Sequence, residues 1–517
     1  MKPSIPPARR AALLRVRGRG APRVPSAIAA ALALLLAGAA KAEPVEAPAA
    51  TPEQEWGTAF QSTYVWQDKA AFPAAYSGHN SLGTERALSY SFTVTAMVGM
   101  RPWRGGELYF NAEGAQGVPL SGLTGLGGFT NGEMARSATP NLGLYRARLF
   151  LRQTWGEGGG EEVQASGLTQ LAGTADRRRW VLTAGNLSVL DAFDNNAYAH
   201  DPRTQFLNWA FMTYGAYDYA ADGRGYSWGA LLERYHDDWA LRAGRFIQPY
   251  EPNGQPLDPR FLRHYGDQVE LEHAHQLDGQ PGKLRLLVFR NRARMASFQD
   301  AMALAQATGD TPSLDAVRGG DRSKRGIGLG LEQAMAEDLG LFARWSRADG
   351  GTETYAFTEI DRSLSAGALL RGSAWGRGQD TVGVAAAANG LSHARRDYLA
   401  AGGMGTFLGD GALRYGTETV VEVFYAIQVT RAFWVTLDWQ HIRHPGYNAD
   451  RGPVHVGSVR LHTESDGTEG LHSLAEPQLH APRGRSRPLS PWSALSYTEW
   501  GDFVTTSVMK FHQCSRH

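Results

Sequence analysis

Three arginines are spaced at even intervals in one short segment of the chain, at positions 146, 148 and 152. Residues an even number apart share a face of a β-strand, so Arg146, Arg148 and Arg152 are expected to point the same way. Guanidinium groups donate and carboxylates accept hydrogen bonds, so a ring of both can bind the hydroxyl groups of a small solute in a constriction. The polar residues expected to complete this constriction are Glu107, Asn111 and Glu113. The arginines could instead brace a loop or a neighbouring strand through ion pairs, and the two roles are compatible.

The strongest candidates for catalysis are two acidic residues, Glu359 and Asp361. Two positions apart on a strand they would share a face, whereas a glycoside hydrolase needs carboxyl groups that flank the bond to be cleaved. The sequence contains no HExxH, no GxSxG and no phosphate-binding loop with its lysine. Its histidines lack the spacing of a metal site. We therefore expect no catalytic residue, no metal and no cofactor.

Alternating hydrophobicity indicates the elements that position these side chains. Between residues 88 and 101 the even positions are almost all apolar or aromatic, and the odd positions begin with serines and threonines. Similar runs begin at residues 56, 145 and 433. Their apolar faces suit the roughly 9–11 residues that a tilted strand needs to cross a bilayer. Soluble sandwiches and propellers also alternate, but charged residues in mid-strand suit a water-filled lumen better than a packed core. The pattern predicts an all-β, transmembrane antiparallel β-barrel.

The first 42 residues are typical of a secretory signal peptide. A basic beginning precedes an apolar stretch, Ala27 to Ala40, and the small-x-small sequence that ends at Ala42. This segment holds eight of the 52 basic residues and none of the 51 acidic ones, which leaves 44 basic residues against 51 acidic ones. A net negative chain argues against nucleic acid as a partner. The single cysteine, Cys514, allows no intrachain disulfide.

Several long segments resemble the carbohydrate-selective porins, the OprB-like family. They follow one another along residues 52–464 and include LYFNAEGAQGVPLSGLTGLGGFTNGE (108–133), NLSVLDAFDNNAYAHDPRTQFLNWAFMTYGAYDYA (186–220) and DYLAAGGMGTFLGDG (397–411). The resemblance implies a barrel of about 16 strands in the outer membrane of a Gram-negative cell. It also implies passive diffusion of carbohydrates, such as glucose, into the periplasm. In such a porin the Gly-rich segment Gly114–Gly132 is expected to fold inward and narrow the channel.

The resemblance also implies a set of partners. They are the lipid of the outer membrane, sugars as the transported solutes and the barrel-assembly machinery, and a homotrimer is compatible with the resemblance. Two other functions stay open. One is a general porin for small solutes with the same architecture. The other, which is less favoured, is an exported β-rich glycoside hydrolase, and finding the protein soluble in the periplasm would exclude both porins.

The expected organisation of the chain is a signal peptide (1–42), an N-terminal segment (43–55), the barrel (56–464) and an atypical tail (465–517). Barrels of this kind are expected to end on an aromatic residue, yet Ser465 follows the last alternating run. The tail is expected to be either disordered or the product of a reading-frame shift. Loss of one T from GAG TTC TGA C would turn Glu-Phe-stop into the Glu-Ser-Asp sequence of residues 464–466.

Overall fold

The computed structural model describes residues 53–134, 136–356 and 359–466. The signal peptide expected at residues 1–42 lies outside the described residues, and so does the tail from residue 467 onwards. Three helices are present in the described ranges: α1 (Trp209–Met212), α2 (Phe298–Thr308) and α3 (His393–Ala400). None of the described helices is long and apolar enough to cross a membrane. Short 3-10 turns occur at Leu120–Leu123, Val189–Asp191, Asp315–Val317, Ser373–Trp375 and Pro445–Tyr447.

Sixteen antiparallel strands close into a barrel, which confirms the predicted fold. They are β1 (Trp56–Lys69), β2 (Ala87–Trp103), β3 (Gly106–Val118), β4 (Gly143–Gly156), β7 (Arg178–Leu187), β8 (Ser227–His236), β9 (Trp239–Ile247), β10 (Tyr265–Leu277), β11 (Gln280–Arg294), β12 (Asp321–Ala336), β13 (Leu339–Ala348), β14 (Arg362–Gly372), β15 (Arg377–Gly390), β16 (Glu418–Thr430), β17 (Phe433–Arg443) and β18 (Val454–Asp466). The remaining two, β5 (Glu161–Gln164) and β6 (Gly173–Asp176), pair only with each other. Pairing of β1 with β18 closes the cylinder, from Ala59 opposite Asp466 to Lys69 opposite Val456.

The two faces of each barrel strand have the chemistry that the alternation predicts. On β2 the even positions face outward, and Leu88 and Val98 are 52% and 46% exposed. Such exposure of large apolar side chains is expected where lipid replaces water. The odd positions face the lumen and are polar from Ser89 to Thr95, where loop residues cover them.

The two ends of the barrel differ in the length of their connections. At the short-turn end, most connections contain only two residues, such as Asp237–Asp238 between β8 and β9. At the long-loop end, every connection is longer. This asymmetry is characteristic of outer-membrane barrels, in which the short turns face the periplasm.

Two segments from the long-loop end fold into the lumen. The short inward loop (residues 119–142, described except for residue 135) follows β3, so the expected segment Gly114–Gly132 begins as strand and turns inward only after Val118. Its backbone N–H groups at Gly127 and Gly128 donate to the carboxylate of Glu418 on β16, at 3.0–3.1 Å.

The long inward loop (residues 188–226) fills more of the lumen, and the sequence did not single it out as a constriction. Residues 206–221 of this loop are all buried in the interior of the barrel. Tyr214 approaches the wall where β12 carries Gly328 and Gly330, and a Cβ atom at either position would lie within 2.9 Å of the Tyr214 side chain. The glycines therefore make room for the ring of this tyrosine.

One connection at the short-turn end is exceptional. The insert (residues 157–177) joins β4 to β7 and contains the exposed hairpin of β5 and β6. The residues between these two strands, 165–172, are named the insert tip. Their contacts with the barrel wall involve Asn111 and Arg152, two of the residues that the sequence singled out.

Candidate functional site

The three arginines of β4 do not share a face. Asn111 of β3 lies opposite Arg148, but the next residue of β3, Ala112, lies opposite Arg146, so Ala147 is an extra residue in a β-bulge. Arg148 and Arg152 face the lumen. Arg146 is exposed on the outer wall, where its guanidinium lies 5.0 Å from the centre of the Trp228 ring. The expectation that Arg146 points into the lumen is therefore wrong, because the bulge shifts the alternation by one residue.

Glu113, on the lumen face of β3, is at the centre of a polar cluster. It accepts hydrogen bonds from Thr95 at 2.8 Å and from the hydroxyls of Tyr145 and Tyr226. Arg203 from the long inward loop lies 3.4 Å from its carboxylate. Glu113 thus faces the lumen as expected, but its cationic partner comes from a loop and not from β4.

Arg203 also contacts the short inward loop. Its Nε atom lies 2.8 Å from the Glu133 carboxylate, which also accepts a hydrogen bond from Thr93. Burial raises the pKa of Glu133, while the charge of Arg203 opposes that rise. Burial acts to lower the pKa of Arg203, but the attraction of Glu133 and Glu113 outweighs it and raises that pKa well above its ordinary value. Arg203 therefore stays charged and ties the two inward loops to β3.

Arg148 forms a two-point ion pair with Asp191 at the start of the long inward loop. Its Nε and Nη2 atoms lie 2.8 and 2.6 Å from the two carboxylate oxygens. Asp191 is held in turn by a capping box with Ser188 at the beginning of a 3-10 turn. Arg148, Asp191, Glu113, Arg203 and Glu133 together are named the eyelet cluster.

Nearer the short-turn end, Glu107 of β3 is flanked by two arginines. Arg101 lies 2.9 Å and Arg152 3.3 Å from its carboxylate, and these three residues are named the rim cluster. The same Arg152 donates to the backbone carbonyl of Thr169 at 3.0 Å. Asn111 donates to the carbonyl of Leu168, also at 3.0 Å. Glu107, Asn111 and Arg152 therefore come together, but Asn111 and Arg152 contact the insert tip and not the short inward loop.

The eyelet and rim clusters are balanced in charge and partly open to water. They contain four arginines and four carboxylates, namely Arg101, Arg148, Arg152, Arg203, Glu107, Glu113, Glu133 and Asp191. The four arginines and Asp191 keep 11–20% of their side-chain surface exposed. They present hydrogen-bond donors and acceptors without a net charge, which suits a neutral, polar solute better than an ion.

A second set of lumen charges supports the wall. On β8–β12 the ion pairs link Arg242 to Glu233, Glu270 and Glu272, and Arg285 to Glu272 and Glu332. Glu270 and Glu332 also accept the backbone N–H groups of Asp194 and Ala197 from the long inward loop, both at 2.8 Å. These side chains are almost fully buried, so they fix the loop to the wall and do not line the open path. Strand parity could have identified them, since Gln268, Glu270 and Glu272 alternate with Val269 and Leu271.

The candidate catalytic carboxylates lie apart from the lumen clusters. β14 begins at Arg362, so Glu359 and Asp361 precede the strand and do not share a strand face. Glu359 accepts the N–H of Thr406 at 2.9 Å, and Asp361 pairs with Arg395 at 3.2 Å. Both carboxylates are buried beneath loops, which gives them a structural role in that region.

The opposite placement of Arg146 and Arg148 gives a matched test. Substitution of Arg148 by glutamine removes one of the four arginines of the eyelet and rim clusters, so the channel should become cation-preferring, with a cation-to-anion permeability ratio about twofold higher. Substitution of Arg146 by glutamine should leave conductance and ion preference unchanged. The measurement is the reversal potential of purified channels in a KCl gradient. An equal effect of both substitutions would contradict the placement of the bulge.

Comparison with known proteins adds independent evidence. Residues 79–464 match the family model described as carbohydrate-selective porin, OprB family. A search of curated proteins returns no significant match. Among solved structures, OprB of Pseudomonas putida has a TM-score of 0.62 at 16% identity and covers 80% of this chain and 94% of its own.

Two further barrels have lower TM-scores. OmpT of Vibrio cholerae has a TM-score of 0.42 at 9% identity, covering 80% of this chain and 100% of its own. OccK2 of Pseudomonas aeruginosa has a TM-score of 0.40 at 12% identity, with 80% and 98% covered. Both the matched family and the fold are those of outer-membrane porins, which are channels and not enzymes. The chain belongs to the OprB family of carbohydrate-selective porins.

Proposed function

We propose that this porin conducts neutral monosaccharides such as glucose by passive diffusion across the outer membrane into the periplasm. Export by the signal peptide expected at residues 1–42 is part of the proposal. The observation that carries it is the balanced set of arginines and carboxylates between the two inward loops, of which Arg148, Arg203 and Asp191 stay partly exposed in the lumen. Family membership supports the carbohydrate class of solute.

The chemistry of the eyelet cluster fits a sugar. Each hydroxyl of a monosaccharide can donate one hydrogen bond and accept others, so a lining of guanidinium groups and carboxylates can replace water around the solute. Conduction also requires that the solute leave again, and binding must therefore be weak. Here the arginines and carboxylates already pair with one another, so a passing sugar must compete with these ion pairs. This competition keeps sugar affinity low and transit fast.

Proteoliposome swelling tests the proposal. Purified protein should support rapid swelling in isotonic glucose and slower swelling with charged sugars of similar size, namely gluconate and glucosamine. Protein-free liposomes and liposomes that contain heat-unfolded protein are the controls. Swelling that is absent in glucose would refute the proposal. Equal rates for glucose, gluconate and glucosamine would instead favour a general porin for small solutes, because such a channel selects by size alone.

A further inference from the structure

The insert tip lies inside the barrel and is anchored to four successive strands. Leu171 is fully buried in one apolar cluster with Ala59 of β1, Met97 of β2 and Tyr109 of β3, all on the lumen face. Its side chain lies against Gly57 of β1 and Gly99 of β2, where an added Cβ atom would be 3.0 and 3.3 Å from its Cδ2 atom. The backbone N–H of Leu171 donates to the Tyr109 hydroxyl at 2.9 Å. These contacts place an apolar side chain of the insert against the inner wall. The segment is therefore not an exposed turn beneath the barrel.

Polar contacts extend the anchoring towards the middle of the lumen. Arg101 donates to the carbonyl of Ala172 at 3.0 Å, and Arg152 donates to both the carbonyl of Thr169 and the side chain of Gln170, at 3.0 and 3.1 Å. The deepest contact is made by Asn111, which donates to Leu168. Every one of these wall residues faces the lumen.

The position of Asn111 gives the depth of the tip. Asn111 lies five residues beyond Gly106, the first residue of β3. At about 3.3 Å per residue and a strand tilt of about 40°, this corresponds to roughly 12 Å from the short-turn rim. In the sheet, Asn111 is directly opposite Arg148 of the eyelet cluster. The tip thus begins where the eyelet cluster ends, and a solute that leaves the eyelet meets the tip next.

We propose that the insert tip is a second constriction, in series with the eyelet cluster, and that it sets the upper size limit for saccharides on the periplasmic side. This inference rests on the proposed function for its solute class. The insert tip carries half-buried polar groups at Ser166, Thr169 and Gln170. Together with Arg152 they offer hydrogen bonds to a passing monosaccharide. A disaccharide or trisaccharide is longer and passes a narrow opening only in an extended orientation, and the anchored backbone of residues 165–172 cannot yield without losing its wall contacts.

The hairpin of β5 and β6 allows the tip to be removed cleanly. Gln164 and Gly173 are directly opposite each other at the end of this hairpin. Replacement of residues 165–172 by Asn-Gly should therefore close the hairpin with a two-residue turn and leave β4 and β7 in place. Leu171→Ser is a second variant, which keeps the chain length but removes the apolar anchor. Val163→Ser is the matched control, because the Val163 side chain is exposed on β5 and does not belong to the insert tip.

Two readouts separate this inference from the proposed function. The first is the ratio of swelling rates in raffinose and glucose, which should rise about tenfold in the Asn-Gly variant and less in Leu171→Ser. The second is single-channel conductance in KCl, which should rise about twofold. Val163→Ser should match the wild-type protein in both.

A folded Asn-Gly variant with unchanged ratio and conductance would overturn the second constriction. If this variant does not fold, unchanged values in Leu171→Ser would overturn it. If neither the wild-type protein nor any variant passes glucose, the proposed function fails. The single-channel conductance of the variants then still decides whether the insert tip obstructs the lumen.

Discussion

Substitution of Arg344 by methionine is expected to destabilise the barrel by about 3–5 kcal/mol and to increase its conductance. Arg344, on the lumen face of β13, is almost fully buried and holds the long inward loop at three points. Its guanidinium lies 2.9 Å from Asp194 and donates to the carbonyls of Phe211 and Ala199 at 2.8 and 2.5 Å. Methionine would leave the Asp194 carboxylate buried without its cation. The part of the loop that contains Asp194, Ala199 and Phe211 should loosen from the wall and give a wider path.

Urea-induced unfolding in detergent and single-channel recording measure the two effects. Arg347→Met is the matched control, because this arginine lies on the outer face of the same strand and is exposed. Its effect on the free energy of unfolding should stay within about 0.5 kcal/mol. The double variant Asp194→Asn/Arg344→Met should recover part of the lost stability, since it removes both buried charges. Normal stability and conductance in Arg344→Met would show that the loop does not depend on this ion pair.

Removal of β18 is expected to abolish barrel formation. Truncation after Pro453 would leave the edges of β1 and β17 unpaired inside the bilayer, where each unsatisfied backbone group costs several kcal/mol. By contrast, a chain that ends at residue 465 with Ser465→Phe keeps every pair of β18 with β1 except that of Asp466 with Ala59. It also places an aromatic residue opposite Phe60, on the outward face at the short-turn end. We propose that this variant assembles at least as well as the full-length chain.

Heat modifiability of outer-membrane fractions in gel electrophoresis distinguishes these chains. The full-length protein and the shortened Ser465→Phe variant should both migrate as folded barrels, and the chain truncated after Pro453 should not. A chain that also ends at residue 465 but retains Ser465 separates the effect of the aromatic residue from that of removing the tail. Folded protein after truncation at Pro453 would mean that β18 is not needed to close the barrel.

Strand parity predicted much of the fold and part of the site. Alternation depends only on whether each side chain meets lipid or lumen, and it is therefore readable from residues such as Leu88 and Ser89. It correctly assigned Arg148 and Arg152 to the lumen. The bulge at Ala147 was not readable, because no residue type is obligatory there and the register of β4 is set by its pairing with β3.

Strand parity also could not predict the partners of these arginines. Asp191, Glu133 and Arg203 lie in loops, and their positions depend on contacts with distant strands. The insert tip is a similar case. Nothing local in residues 165–172 indicates that the side chain of Leu171 lies against Gly57 and Gly99, which are far away in the sequence.

The most direct test of the central claim is current block by glucose in planar bilayers. Sugar that occupies the eyelet cluster should reduce the KCl current of the wild-type channel in a saturable manner, and swelling should confirm that the same sugar passes. Arg148→Gln should weaken the block about threefold to tenfold, consistent with the loss of one or two hydrogen bonds to hydroxyls, whereas Arg146→Gln should leave it unchanged. Wild-type current that is insensitive to glucose, together with absent swelling, would contradict sugar passage through this lumen.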